Sequence, residues 1–237
     1  TNSTLSTEEL AAGQRLACQS TVAADASVVI PRESLFESKH RILESDSGRT
    51  TTVSPVIRKR HFALAPPSAE DSRSDLARLR DAVQGAELPY DLLVALPTFL
   101  RDNEWRGTAV IVEDRIIALE PGDTTDSLFG AAFDLGTTTI VGTLFDLSTG
   151  QQRAVASAMN PQVAFGDDVI ARILRIRETP GSLAEMQSSV CATMNHILAD
   201  LTRQARIASD QVYEITVAGN STMQQILCRL DPSALGE

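Results

Sequence analysis

The spacing of apolar residues changes character along this chain, and the changes divide it into units. Near the start, Ser6 and Thr7 precede Glu8, Glu9 and Leu10, a cap and an acidic first turn that predict a short helix ended at Gly13. Ser27, Val28, Val29 and Ile30 predict a strand stopped by Pro31. From 33 to 54 the chain is polar, rich in Ser, Thr and Arg, with a short apolar pair at Ile42 and Leu43, and reads as a linker. Weak alternation over 56–64 predicts a strand ended by Ala65, Pro66 and Pro67. Leu76, Leu79 and Val83 recur at helical spacing to about Gln84, and a second helix over 90–102 is expected to bend or break at Pro97. Strands over 108–112 and 115–119 complete a small α+β unit.

A third rhythm begins near Ser127. Strands over 129–133, 139–145 and 151–159 are separated by turns at Asp134-Leu135-Gly136 and Ser148-Thr149-Gly150, which is an antiparallel meander. A helix over 167–177 follows. A longer one from 182 to about 206 carries Leu183, Met186, Val190, Met194, Ile197 and Leu201 on one stripe, which must face the meander. Ile215 to Ala218 read as a buried strand, and 222–230 as a further helix.

Composition narrows the function. The chain has 237 residues, 43% hydrophobic and 22% charged, so it is globular. Its formal charge of -10 repels phosphate backbones and argues against nucleic-acid binding. Charged residues interrupt every apolar run, so no membrane segment is expected. Cys18, Cys191 and Cys228 are odd in number and widely spaced, which points to a reducing, cytoplasmic setting.

Phe133-Asp134-Leu135-Gly136-Thr137-Thr138-Thr139-Ile140 is the stretch richest in chemistry. Gly136 lets the backbone approach a ligand, and the amides and hydroxyls of Thr137, Thr138 and Thr139 can point at phosphate oxygens. Asp134 would hold Mg²⁺ through water. The alternative is a polar hairpin turn in which Asp134 bonds its own backbone.

This strand-turn-strand resembles the first phosphate loop of the actin, sugar kinase and heat-shock chaperone ATPase superfamily. Met159-Asn160-Pro161-Gln162, Phe165-Gly166-Asp167-Asp168-Val169-Ile170-Ala171-Arg172 and Val217-Ala218-Gly219-Asn220-Ser221-Thr222-Met223 are similar to one branch of it, the reductive activators of corrinoid proteins. Gly13-Gln14-Arg15-Leu16-Ala17-Cys18-Gln19, followed by Val28 to Glu33, is similar to the tail of a [2Fe–2S] ferredoxin, and Pro67 to Leu76 resembles the segment ahead of the ATPase domain in these activators.

The resemblance implies an α/β and α+β multidomain fold. Residues 1–33 would end a β-grasp ferredoxin domain, 34–54 a linker, 55–126 a middle α+β domain, and 127–237 the first lobe of an actin-like, ribonuclease H-like ATPase domain. It implies ATP with Mg²⁺ at Asp134, Gly136, Thr137, Thr138 and Thr139, and a [2Fe–2S] cluster with Cys18 as one ligand. The implied activity is ATP-dependent reduction of Co(II) corrinoid to Co(I). The implied partners are a corrinoid protein, either a corrinoid iron–sulfur protein or the corrinoid subunit of a methyltransferase, and a reductase or ferredoxin as electron donor; a homodimer is compatible with it. The upstream C-x₄-C-x₂-C and a second Asp-Gly-Gly-Gly-Thr-like loop do not occur in these residues, so this stretch alone is expected to bind ATP weakly or not at all.

Several residues keep two readings. Cys18 is a cluster ligand or a small buried hydrophobe. Asp168 contacts catalytic water or metal, or with Asp167 caps a helix. Gly219 and Asn220 line the cleft or make a strand-to-helix turn. Arg58-Lys59-Arg60-His61 is read as a solvated strand face that leaves a partner contact open, His196 as a surface residue, and Cys191 and Cys228 as core. Two other functions compete: a small-molecule kinase of the same superfamily without a cluster, and a non-enzymatic iron–sulfur module whose ATPase lobe only mediates binding.

Overall fold

A computed structural model describes Gly13, residues 27–29 and residues 53–236. The helix and cysteine expected before Pro31, including Cys18, lie outside the described residues; of that segment only Gly13 is described, with a φ of +85°. Ser27, Val28 and Val29 do not form the expected strand: they have no regular structure, and the two valines are 74% and 87% exposed. β-branched residues favour extended backbone, but a strand also needs a ladder partner, and none pairs with them among the described residues.

The first sheet has the order β1-β2-β3 and is antiparallel throughout, formed by β1 (Ile57–Ala63), β2 (Arg106–Val112) and β3 (Arg115–Glu120). Helices α1 (Asp75–Ala82) and α2 (Tyr90–Asp102) cover one face, where Phe62, Leu79, Val83, Leu96, Leu100, Ala109, Ile111 and Ile116 form the core. The Ser74 hydroxyl caps α1 by accepting from the Ala77 amide at 3.2 Å. Pro97 does not interrupt α2. A proline inside a helix costs about 3 kcal/mol, and the buried Leu96 and Leu100 on the same helix each return about 1.5–3 kcal/mol.

The second sheet has the order β6-β5-β4-β7, formed by β4 (Phe129–Leu135), β5 (Thr139–Asp146), β6 (Gln152–Met159) and β7 (Val212–Gly219). The meander is as expected, and β7 returns parallel to β4. A 3₁₀ turn (Pro161–Phe165), α3 (Val169–Glu178), α4 (Ser182–Ala205) and α5 (Ser221–Leu227) complete the unit. Met186, Val190, Ile197 and Leu201 of α4 are buried against Phe133, Leu135, Ile140 and Leu144 of the sheet, so the predicted stripe is the packed face.

Some expectations fail for reasons the topology supplies. Asp134 and Leu135 are not in the turn but extend β4, because they pair with Val141 and Ile140 on one side and Ala218 and Gly219 on the other. β7 is an edge strand and is not buried: Ile215 is 50% exposed. Cys228 is exposed just past the end of α5, whereas Cys191 packs partly buried against the core.

Lys59 is also not solvated. Its ammonium is buried and meets the Glu120 carboxylate at 2.6 Å, and Thr124 and Tyr213 donate hydroxyl hydrogen bonds to the same carboxylate. Lys59 lies over the Tyr213 ring, 5.2 Å from its centre. Because Tyr213 is on β7, this cluster ties the first sheet to the second, beside a seam of Ile57, Val110 and Leu128.

Candidate functional site

The link between β4 and β5 is very short: Gly136, Thr137 and Thr138, closed by the Gly136 amide donating to the Thr139 carbonyl at 3.0 Å. That bond pairs Gly136 with Thr139 and leaves a two-residue tip, Thr137 and Thr138, and such hairpins usually rely on positive φ at the tip to match the strand twist. Thr137 and Thr138 are not among the positive-φ residues, so the hairpin lacks that source of order. Side chains from outside supply it.

All three carbonyls of the link are held from behind. Asn160 Nδ2 donates to Gly136 O at 2.8 Å, the Asn160 amide to Thr138 O at 2.8 Å, and Arg172 Nη2 to Thr137 O at 2.6 Å. Asn220 Nδ2 reaches the Thr137 hydroxyl at 3.3 Å. With the carbonyls turned toward the protein, the amides of Thr137 and Thr138 have no acceptor among the described residues. Unpaired successive amides form a concavity for an anion.

Asn160 and Arg172 can do this because both are completely buried. Asn160 follows β6 and caps the 3₁₀ turn, accepting from the Gln162 amide at 3.0 Å. Arg172, on α3, also donates to Gly166 O at 2.9 Å and Gln162 Oε1 at 3.3 Å, with the Met223 sulfur at 3.1 Å. Every one of these partners is neutral. Burial pushes the Arg172 pKa down, opposed by the charges of Asp168 and Asp167.

Two glycines are dictated by close approach. A Cβ on Gly136 would sit 2.5 Å from the Thr139 carbonyl oxygen, and one on Gly219 would sit 2.9 Å from that of Leu135. Gly219 thus lets β7 close against the end of β4. Asn220 caps α5 through the Met223 amide at 3.0 Å, so its side chain serves the helix and the loop together.

Asp134 is exposed on the face of the sheet away from α4, and its carboxylate has no hydrogen-bond partner among the described residues. Val141, Ser157 and Ala218 share that face by register, so the surface beside Asp134 is small or polar. The amide concavity together with a free carboxylate suits a phosphate chain with a hydrated Mg²⁺. Thr139 starts β5. Asp168 caps α3, accepting from the Ala171 amide at 2.7 Å, and reaches the loop only through Arg172 one turn later.

The structure therefore gathers Gly136, Thr137, Thr138 and Asn220 at one point, with Asp134 and Gly219 on the flanking strands. Asn160 and Arg172 are the residues the sequence reading left without a role. Each lies in a stretch that carries the family resemblance, and an Asn-Pro pair straight after a strand is a local sign of a cap; burial of Arg172 has no local sign. A cavity of about 260 Å³ lined by Arg58, Lys59, Arg60, Val83, Gln84 and Ile111 belongs to the α+β unit of the first sheet and includes no residue of the 136–138 loop. Among the described residues no three His, Cys, Asp or Glu side chains form a metal-binding group, and no helix is long and apolar enough to cross a membrane.

Fold and site together define a mixed α/β protein in which a small α+β unit precedes a sheet bearing a braced loop with two unpaired amides. Residues 46–126 match the family model of the RACo linker region and residues 129–237 that of the RACo middle region. The chain belongs to the RACo family, the reductive activators of corrinoid proteins.

It is 30% identical over 226 residues to the corrinoid activation enzyme RamQ of Eubacterium limosum, across 93% of this chain and 37% of that protein. The solved structure of a reductive activator for corrinoid, iron–sulfur protein matches with a TM-score of 0.69 and 28% identity, over 78% of this chain and 31% of that one. The chain thus spans about a third of the length of the relatives it matches.

Proposed function

We propose that the protein containing this chain is an ATP-dependent reductive activator of a corrinoid protein in the cytoplasm, returning Co(II) corrinoid to Co(I) by one electron. The observation that carries the reading is the loop of residues 136–138, whose carbonyls are bound by Asn160 and Arg172 and whose Thr137 and Thr138 amides are left to an anion. In this proposal residues 127–237 are the first lobe of an actin-like ATPase domain, residues 55–126 a middle domain and residues 1–33 the end of a ferredoxin domain.

The chain's own residues would work as follows. The amides and hydroxyls of Thr137 and Thr138 bind phosphate oxygens, and Thr139 begins the strand that anchors them. Asp134 orients water on Mg²⁺. Gly136 and Gly219 let the backbones of the loop and β7 come close enough to form the floor of the site, and Asn220 fixes the Thr137 hydroxyl. The Asp168 carboxylate would stand ready toward water or metal while capping α3. A [2Fe–2S] cluster would supply single electrons from a reductase or ferredoxin, with Cys18 on one iron. ATP can favour the transfer only by binding two conformations with different affinity.

The test uses the full-length protein purified without oxygen. Expected are two irons and two sulfides per chain, and reduction of a corrinoid protein's Co(II), followed by its visible spectrum, that requires MgATP and is lost in Asp134→Ala. Reduction that proceeds equally without ATP, or a chain free of iron, would overturn the reading; the latter would return Cys18 to packing and favour the kinase alternative.

A further inference from the structure

The loop is backed by a positive charge that no carboxylate among the described residues neutralises by contact. We propose that Arg172 is a positioning residue for anion binding: it fixes the Thr137 carbonyl away from the ligand and supplies, from behind the loop, the buried charge that a bound phosphate neutralises. The inference rests on the phosphate-loop reading above and adds the residue that makes the loop selective for anions.

Three observations support it. Arg172 is wholly buried, yet among the described residues it forms no ion pair, and its acceptors there are two backbone carbonyls, one amide oxygen and one sulfur. A buried cation with neutral partners only is a costly arrangement, since even a buried ion pair can often be replaced by well-packed apolar side chains of similar volume without loss of stability. Its shortest bond, 2.6 Å, is to the carbonyl in the middle of the loop, so the charge sits one peptide away from the unpaired amides. A group that served packing alone would be better as methionine. The Asp167 and Asp168 charges act on it from a distance and are both exposed at the start of α3, where water screens them.

The same residue also sets geometry. With Nη2 on Thr137 O and Nε on Gly166 O, the planar guanidinium spans the loop and the segment before α3 in one rigid fork, which a lysine cannot reproduce. Charge and fork are therefore separable by substitution.

The experiment compares wild type, Arg172→Lys and Arg172→Met in the full-length protein, reading ATP affinity by calorimetry, its dependence on salt, and the urea midpoint. Arg172→Met is expected to weaken ATP binding at least about tenfold, flatten the salt dependence, and lower the urea midpoint, because the Thr137 and Gly166 carbonyls and the Gln162 amide oxygen lose a buried donor. Arg172→Lys, keeping charge without the fork, is expected to recover part of the affinity and the wild-type salt dependence. Met and Lys variants equally weak, with wild-type salt slopes, would make Arg172 structural and overturn the proposal. Variants that bind ATP as well as wild type, while Asp134→Ala does not, would also overturn it and leave the nucleotide reading standing. A wild-type protein that binds no ATP would remove both.

Discussion

Gly136→Ala tests whether the loop geometry is what the site depends on. The added methyl would lie 2.5 Å from the Thr139 carbonyl oxygen, where ordinary contact begins at 3.4 Å, so about 0.9 Å of separation must be found. That oxygen belongs to the backbone and also accepts the Gly136 amide at 3.0 Å, so moving it away lengthens the bond past any useful distance. Losing the bond costs about 0.5–1.5 kcal/mol and overpacking about 1–3 kcal/mol, for a total of about 1.5–4.5 kcal/mol. The strain would also shift Gly136 O, which Asn160 holds at 2.8 Å, and so reach the amides on the other side of the loop. Urea unfolding and ATP titration of the full-length variant give the two readouts. Expected are destabilisation in that range and ATP binding weakened at least about tenfold. A variant within about 0.5 kcal/mol of wild type that binds ATP normally would refute the argument, because it would mean the loop tolerates a displaced tip.

Removing the Asn160 side chain in Asn160→Ala leaves Gly136 O and the Gln162 amide without their partner at a fully buried site, and should cost about 2–4 kcal/mol by urea unfolding. Asp168→Ala should lose about 1 kcal/mol of cap energy while Asp168→Asn keeps it, so ATP turnover lost in the stable Asn variant would assign the carboxylate to metal or water. Glu120→Gln should cost about 2–3 kcal/mol by leaving the buried Lys59 ammonium without its counter-charge; the slight exposure of Glu120 keeps the cost below that of a fully buried pair. Burial raises the Glu120 pKa, but the hydrogen bonds from Lys59, Thr124 and Tyr213 outweigh it and leave the carboxyl below its usual value. Its contribution is therefore complete above the ordinary glutamate pKa of about 4.3 and lost as pH falls through the lowered folded value. Tyr213 is shifted upward by burial and by Glu120, so its contribution is complete below the ordinary tyrosine pKa of about 10 and lost at higher pH as it ionises. Melting temperatures across pH should show the acid limb flattened in Glu120→Gln and the alkaline limb flattened in Tyr213→Phe.

What could be read from the sequence was whatever short-range pattern decides. The meander over β4, β5 and β6 follows from alternation and turn residues, and the stripe from Met186 to Leu201 follows from steps of three and four; both are present. Gly136 with three threonines marked the loop. Lys59 was misread because its partners Glu120, Thr124 and Tyr213 come from β3, the loop after it and β7, none near it in sequence. β7 was misread because an apolar run resembles a central strand, and only the sheet order puts Ile215 at an edge. Arg172 looks like any helical arginine until the fold encloses it.

The braces explain why a loop of this kind can sit on a hairpin at all. A helix N-terminus offers an anion several amides already aligned, whereas a two-residue hairpin tip has few, and each can turn inward to pair with its neighbours. Here that choice is removed by side chains from three places: Asn160 after β6, Arg172 on α3 and Asn220 at the start of α5. Their elements meet only when the 3₁₀ turn and the start of α3 are packed, since Gln162 joins Arg172 to the Met186 carbonyl of α4. The presentation of the Thr137 and Thr138 amides is thus a property of the folded layer behind the loop. An anion that binds the Thr137 and Thr138 amides must also stabilise the packing of those helices, because only the assembled layer presents both amides together.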